Sequence, residues 1–292
     1  MNELQIHTLL EEAATLAEEG KRLHAIQVYT RLVGSDPSLE EPYFRLARLF
    51  AEQGNLESAE RVVADGLDRH PGKWQFIICL GDLSAAQERY GQAASWYGRL
   101  SERRLPRVHF SLGMVYLRLR ELEKAEEEFR RALRLDPRFP RIHESLGEVL
   151  LERGQVPLAI AEFRKALRHD PYSGDAHRLL GAALTESHQW AAALEEFILA
   201  ADIDPDDAKA WQLSGETLLR LRRYHEAEYY IRRARALDPG SADVAASCGF
   251  VCMHNGKVDE ARQAFQDALT LRPGHPRAMD GILHLSLRSE QL

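Results

Sequence analysis

Apolar residues along this chain recur three and four places apart in short runs, and the runs come in pairs. Between Ser145 and Pro171, Leu146, Val149 and Leu150 form one run, and Ala159, Phe163, Ala166 and Leu167 form a second. That spacing gathers apolar side chains on one face of a helix, so each pair of runs predicts two amphipathic helices. Gly154 stands between the two and supplies the turn conformation that a helix end favours. Asp170-Pro171 closes the second run, because proline lacks the amide donor and biases its predecessor away from helical geometry. The predicted unit is therefore helix, turn, helix, turn.

The unit repeats. Ala25, Ala59, Ala93, Ala125, Ala159, Ala193, Ala227 and Ala261 follow one another at intervals of 34, 34, 32, 34, 34, 34 and 34 residues. Twelve residues before each stands a small residue: Ala13, Ala47, Gly81, Gly113, Gly147, Gly181, Gly215 and Gly249. Four residues after each comes a large apolar one, among them Tyr29, Tyr97, Phe129, Phe163, Phe197 and Phe265. Prolines 37, 71, 137, 171, 205, 239 and 273 end seven of the eight units, and in the third Leu105 takes that place with Pro106 one residue on. Small residues at fixed points mark where two helix backbones approach closely, since a larger side chain would push them apart.

These residues resemble the tetratricopeptide repeat, a 34-residue helical hairpin with small residues at its eighth and twentieth positions and proline at its thirty-second. The resemblance covers units at about residues 6–39, 40–73, 74–105, 106–139, 140–173, 174–207, 208–241 and 242–275, with a capping helix over 276–288. It implies an all-α chain, an α-solenoid of tandem hairpins curved into a superhelix with a concave groove, and a single solenoid over residues 1–292. Trp occupies the family's fourth position once, as Trp211, and Glu12 stands where leucine is usual, as suits a terminal unit facing water. The 32-residue third unit reads either as a harmless deletion in a surface turn or as a functional hinge.

Composition narrows the function classes. The 38 Lys and Arg against 45 Asp and Glu give a net charge of −7, which does not suit a nucleic-acid binder. No run approaches the roughly 20 apolar residues of a membrane span, and Glu residues interrupt the amino-terminal apolar positions where a secretory signal needs none. Three cysteines without framework spacing predict a reduced, cytoplasmic location. Cys248 and Cys252, four apart beside His254, would suit a metal, but they occupy core positions of the last unit, where small hydrophobes are expected. His109, His143 and His177 recur at the fourth position of three successive units and read as packed rings in place of the family's Trp. With no phosphate loop, GxSxG turn or HExxH helix, the chain is expected to be non-catalytic and to need no cofactor or metal.

The remaining surface is the groove. The resemblance implies that the second, fifth, ninth and thirteenth positions of each first helix line it. These are Phe44 and Arg48 in the second unit, Ile78 and Asp82 in the third, and Phe110, Met114 and Arg118 in the fourth. They continue with Glu144, Glu148 and Glu152 in the fifth, Arg178 in the sixth, Gln212 and Glu216 in the seventh, and Phe250 in the eighth. Groove exposure of Phe44, Ile78, Phe110 and Met114 is favoured over packing between neighbouring helices. The expected partner is a protein or peptide segment with an apolar anchor beside basic residues, lying across the fourth to sixth units. Self-assembly through the terminal helix, with Met279, Ile282, Leu283, Leu285 and Leu287, and service as the positioning subunit of an enzyme are the competing readings.

Overall fold

In the computed structural model, which describes residues 3–139 and 141–289, the chain divides into two compact units, Met1–Phe139 and Pro140–Leu292. Among the described residues there are seventeen α-helices and no strand. Asn2 and Pro140, the latter the expected first residue of the fifth hairpin, lie outside the described residues.

The first unit holds four hairpins. These are α1 (Glu3–Glu18) with α2 (Arg22–Ser35), α3 (Glu41–Glu52) with α4 (Leu56–Arg69), α5 (Trp74–Ala86) with α6 (Tyr90–Gly98), and α7 (Pro106–Arg118) with α8 (Leu122–Leu135). One apolar cluster, around Tyr29, Leu32, Leu46 and Leu49, joins the first two; another, around Tyr43, Phe76, Tyr97 and Leu112, runs on through the third into the fourth. The shortening of the third unit falls in its second helix: α6 has 9 residues where each of the other second helices has 14.

The second unit holds α9 (Ile142–Glu152) with α10 (Val156–His169), α11 (Gly174–Glu186) with α12 (Trp190–Ile203), and α13 (Ala208–Arg220) with α14 (Tyr224–Leu237). It closes with α15 (Ala242–His254), α16 (Val258–Leu271) and the terminal α17 (Pro276–Ser289). Ser173, Asp207 and Ser241 cap α11, α13 and α15 by accepting from the amides of Ala176, Ala210 and Val244, so the polar residues after each Asp-Pro start the next hairpin.

The repeating small residues do what their spacing implies. A Cβ on Gly147 would stand 2.5 Å from Phe163 Cε1, and one on Gly113 2.6 Å from the Phe129 ring. Each glycine is thus the seat of the aromatic ring sixteen residues later in its own hairpin. Ala159, fully buried, lies one helical turn before Phe163 at the same crossing. In α17 the pattern changes. Ala278 and Leu285 are buried with the last hairpin and Gly281 backs onto Phe265. Met279 and Leu283, at the positions where other first helices meet their own second helix, are 55% and 57% exposed. None of the described helices is long and apolar enough to cross a membrane.

Candidate binding surfaces

In the first unit, the face built by α3, α5 and α7 carries an apolar cleft of about 370 Å³. Phe44, Trp74, Ile78, Cys79 and Leu105 form its walls, with Gln75, Pro106 and Arg107 at its margin. Phe44 is held in place by stacking on Phe76, with ring centroids 4.3 Å apart and planes 14° apart. Asp82 fixes the far side, accepting from Tyr97 Oη at 2.6 Å and from Arg107 at 2.7 Å. Burial and the Asp82 carboxylate push the Tyr97 phenol well above its ordinary range, so Tyr97 stays a donor. Desolvation pushes the Cys79 thiol up to about 11, which makes it a wall and not a nucleophile.

Phe44 and Ile78, both expected in the groove, therefore meet in one cleft. Exposure is corrected for Ile78, which is only 5% exposed and contributes its surface to the cleft wall while packing in the core. Phe110 is half-buried between Phe129 and Phe139, at 5.6 and 5.1 Å, so the packing alternative describes it. Met114 is half-buried, while Arg48 is exposed and engaged with Glu52 at 2.8 Å. Arg118 is exposed at the last turn of α7.

In the second unit the acidic stripe divides by depth. Glu144 is buried and accepts from Arg141 Nε at 3.1 Å and from Ser173 Oγ at 3.0 Å, which corrects its reading as an open groove acid. Glu148 is half-buried and Glu152 exposed. Arg178 bonds Asp175 at 2.7 Å. Gln212, also buried against expectation, accepts from Lys209 at 3.2 Å and donates to Glu216 at 3.1 Å. Glu216 further accepts from Ser247 at 2.6 Å and from Arg277 of α17 at 2.8 Å, and the Arg277 guanidinium lies 5.5 Å from the Phe250 ring centroid. Burial pushes the Glu216 carboxyl up, but Arg277, Ser247 and Gln212 together hold it below the usual carboxylate range. These positions form an internal network that ties α17 to α13 and α15.

The three histidines are buried rings, as packing requires, with a partner that the apolar pattern did not reveal. His109, His143 and His177 place Nδ1 2.6, 2.7 and 2.6 Å from Glu128, Glu162 and Glu196. Each glutamate stands nineteen residues after its histidine, a constant offset that the sequence carries openly. Trp211 takes the same place in the next hairpin and packs on Tyr230, nineteen residues on, at 5.6 Å. Cys252 is buried and Cys248 half-buried, and desolvation raises both thiols, that of Cys252 to about 11. No group of three or more His, Cys, Asp or Glu among the described residues is placed to hold a metal ion.

Sequence profiles of the tetratricopeptide repeat match residues 44–107, 110–176 and 213–276, and a second such profile matches 150–216. Among curated proteins none matches the chain significantly in sequence. Among solved structures, the Cut9–Hcn1 hetero-tetramer of the APC/C is similar over 98% of this chain and 57% of its own, at 18% identity and a TM-score of 0.66. A tetratricopeptide repeat protein from Parabacteroides merdae is similar over 85% of this chain and 98% of its own, at 17% identity and a TM-score of 0.63. YrrB, described as a TPR protein with an unusual peptide-binding site, is similar over 68% of this chain and all of its own, at 23% identity and a TM-score of 0.55. The chain spans little more than half the length of the Cut9–Hcn1 chain that it resembles.

Proposed function

Because the chain belongs to the tetratricopeptide repeat family, we propose that it is a non-catalytic adaptor or scaffold that binds a segment of a partner protein. The observation that carries this reading is the apolar cleft between α3, α5 and α7 in the first unit. Its walls are aromatic and aliphatic, its rim is polar, and about 370 Å³ suits one or two apolar side chains. A partner segment seats an apolar anchor there, and the desolvated anchor carries most of the affinity, with rim charges tuning rate and specificity. The peptide-binding site in YrrB's description is in keeping with this reading.

Selection from a random peptide library on the immobilised full chain tests it. Selected peptides are expected to share an apolar residue at a fixed place and to lose binding to a Cys79→Trp variant, whose indole fills the cleft. Peptides that bind that folded variant as well as the parent would overturn the reading.

One observation favours a second reading. Met279, Leu283 and Leu287 stand four apart along α17 and are all exposed, as a self-association surface would require. Sedimentation of the parent and of Leu283→Glu separates the readings: equal monomer mass in both removes self-assembly.

A further inference from the structure

The shortened third hairpin builds a second cleft in the first unit, remote in character from the apolar one. Helix α6 stops at Gly98, five residues short of the length of its counterparts, and residues 99–105 run on as turn and coil. This segment carries Arg103 and Arg104, both exposed, and places them beside the last turns of α8, which carry Arg131 and Arg134. Together they line a cleft of about 440 Å³ whose inner wall is His109, itself 5% exposed. Glu102 is the one acidic residue among its lining.

The arginines are not equally committed. Arg131 donates to Glu128 at 2.9 Å and to Glu127 at 2.7 Å, and Glu128 in turn holds His109. Arg103, Arg104 and Arg134 make no side-chain hydrogen bond or ion pair among the described residues. Arg134 sits in the last turn of α8, where its charge complements the helix's exposed carbonyls. That account does not extend to Arg103 and Arg104, which lie on no helix. Arg103 and Arg104, which lack even that role, and Arg134, which has no carboxylate partner among the described residues, converge on one concavity in a chain of net charge −7, where acidic residues to pair with them are plentiful. Their mutual repulsion is relieved by an anion, and the planar fork of arginine matches the oxygens of a phosphoryl group two at a time.

We propose that the cleft formed by residues 101–104 and the end of α8 is a binding site for a phosphomonoester group, with Arg103, Arg104 and Arg134 as its donors. A dianion with three terminal oxygens accepts from all three forks at once, which a single carboxylate does not. The buried His109–Glu128–Arg131 chain positions the floor and holds the α8 side of the cleft in place. The inference is independent of the apolar cleft: Trp74→Ala leaves it untouched.

Calorimetric titration of the full chain at constant ionic strength tests it with three probes: inorganic phosphate, a hexapeptide containing phosphoserine, and the same hexapeptide unphosphorylated. Saturable binding of the phosphorylated probes is expected. It should weaken by about tenfold or more in the Arg103→Ala/Arg104→Ala variant. It should be unchanged in Arg164→Ala, an exposed arginine on α10. Tighter binding of the phosphopeptide than of phosphate assigns the group to a modified partner segment, and equal binding assigns it to a free phosphate compound. Binding that does not saturate, that the unphosphorylated peptide reproduces, or that the double variant retains in full would overturn the proposal. Circular dichroism of the double variant, whose changes lie on an exposed loop, guards against misfolding as the cause of any loss.

Discussion

The turn inside each hairpin passes through a left-handed residue, and the eight hairpins fill that place in two ways. Gly20, Gly54, Gly154 and Gly256 adopt φ of 71–78°, whereas Glu88, Arg120, His188 and Arg222 adopt 58–62°. Left-handed geometry costs a residue with a Cβ about 1–2 kcal/mol, part of which glycine returns as unfolded-chain entropy. Glu88→Gly and Arg222→Gly should each therefore stabilise the fold by about 0.5–1 kcal/mol, seen as a higher denaturant midpoint with unchanged slope. The opposite sign is expected where small residues seat an aromatic ring: Gly147→Leu or Ala159→Phe should cost about 1–3 kcal/mol or more. A circular dichroism melt equal to the parent's would contradict the packing role of either. At this scale the sequence was informative about one side chain at a time, because position in the repeat decides which face a residue occupies. It was silent on depth. Glu144 occupies a groove position by register yet is buried, since Ser173, twenty-nine residues on, closes over it. The histidines read as packed rings and are buried, while the glutamates that bond them are legible only in the constant nineteen-residue offset.

Helices show where the period alone misleads. The two missing residues of the third unit read as a shortened turn, but the structure places the loss in α6 and lengthens the connection instead, to residues 99–105. A deletion changes where a helix stops as readily as it changes a loop, and no local pattern distinguishes the two. The terminal helix was recognisable from its amphipathic spacing, and its attachment was not. Arg277 reaches Glu216 across α15, and His275, buried, lies 2.9 Å from Asp243. Truncation after Gly274 removes these contacts and uncovers Phe265, so the shortened chain should aggregate; a soluble truncation with unchanged melting would deny α17 its covering role. Attachment of α17 should also depend on pH. Because the folded Glu216 carboxyl lies below its ordinary value of 4.5, it contributes stability that is present above that value and is lost as pH falls through the folded pKa. Protection of the α17 amides, measured as exchange relative to the intrinsic rate at each pH, should fall in acid, and Glu216→Gln should flatten that dependence.

For the whole molecule, the eight hairpins and the terminal helix were legible because each repeat samples the same packing problem, and the solution shows up eight times in register. The division after Phe139 was not, since the period runs through it without a break. Nor was the apolar cleft as a site. Trp74, Cys79 and Leu105 join Phe44 and Ile78 only because α3, α5 and α7 pack side by side, and Trp74 stands at the first residue of its helix, outside the positions the family resemblance singled out. Trp74 is half-buried and packs against the edge of the core cluster without lying inside it, so melting curves of its alanine variant separate lost binding from lost folding. The decisive measurement is calorimetry of a library-selected peptide on the parent and on Trp74→Ala, with melting curves alongside. Binding through the cleft requires an affinity lower by about thirtyfold, or about 2 kcal/mol, at a nearly unchanged melting temperature. Equal affinity in the two proteins would contradict it and move the binding surface away from α3, α5 and α7.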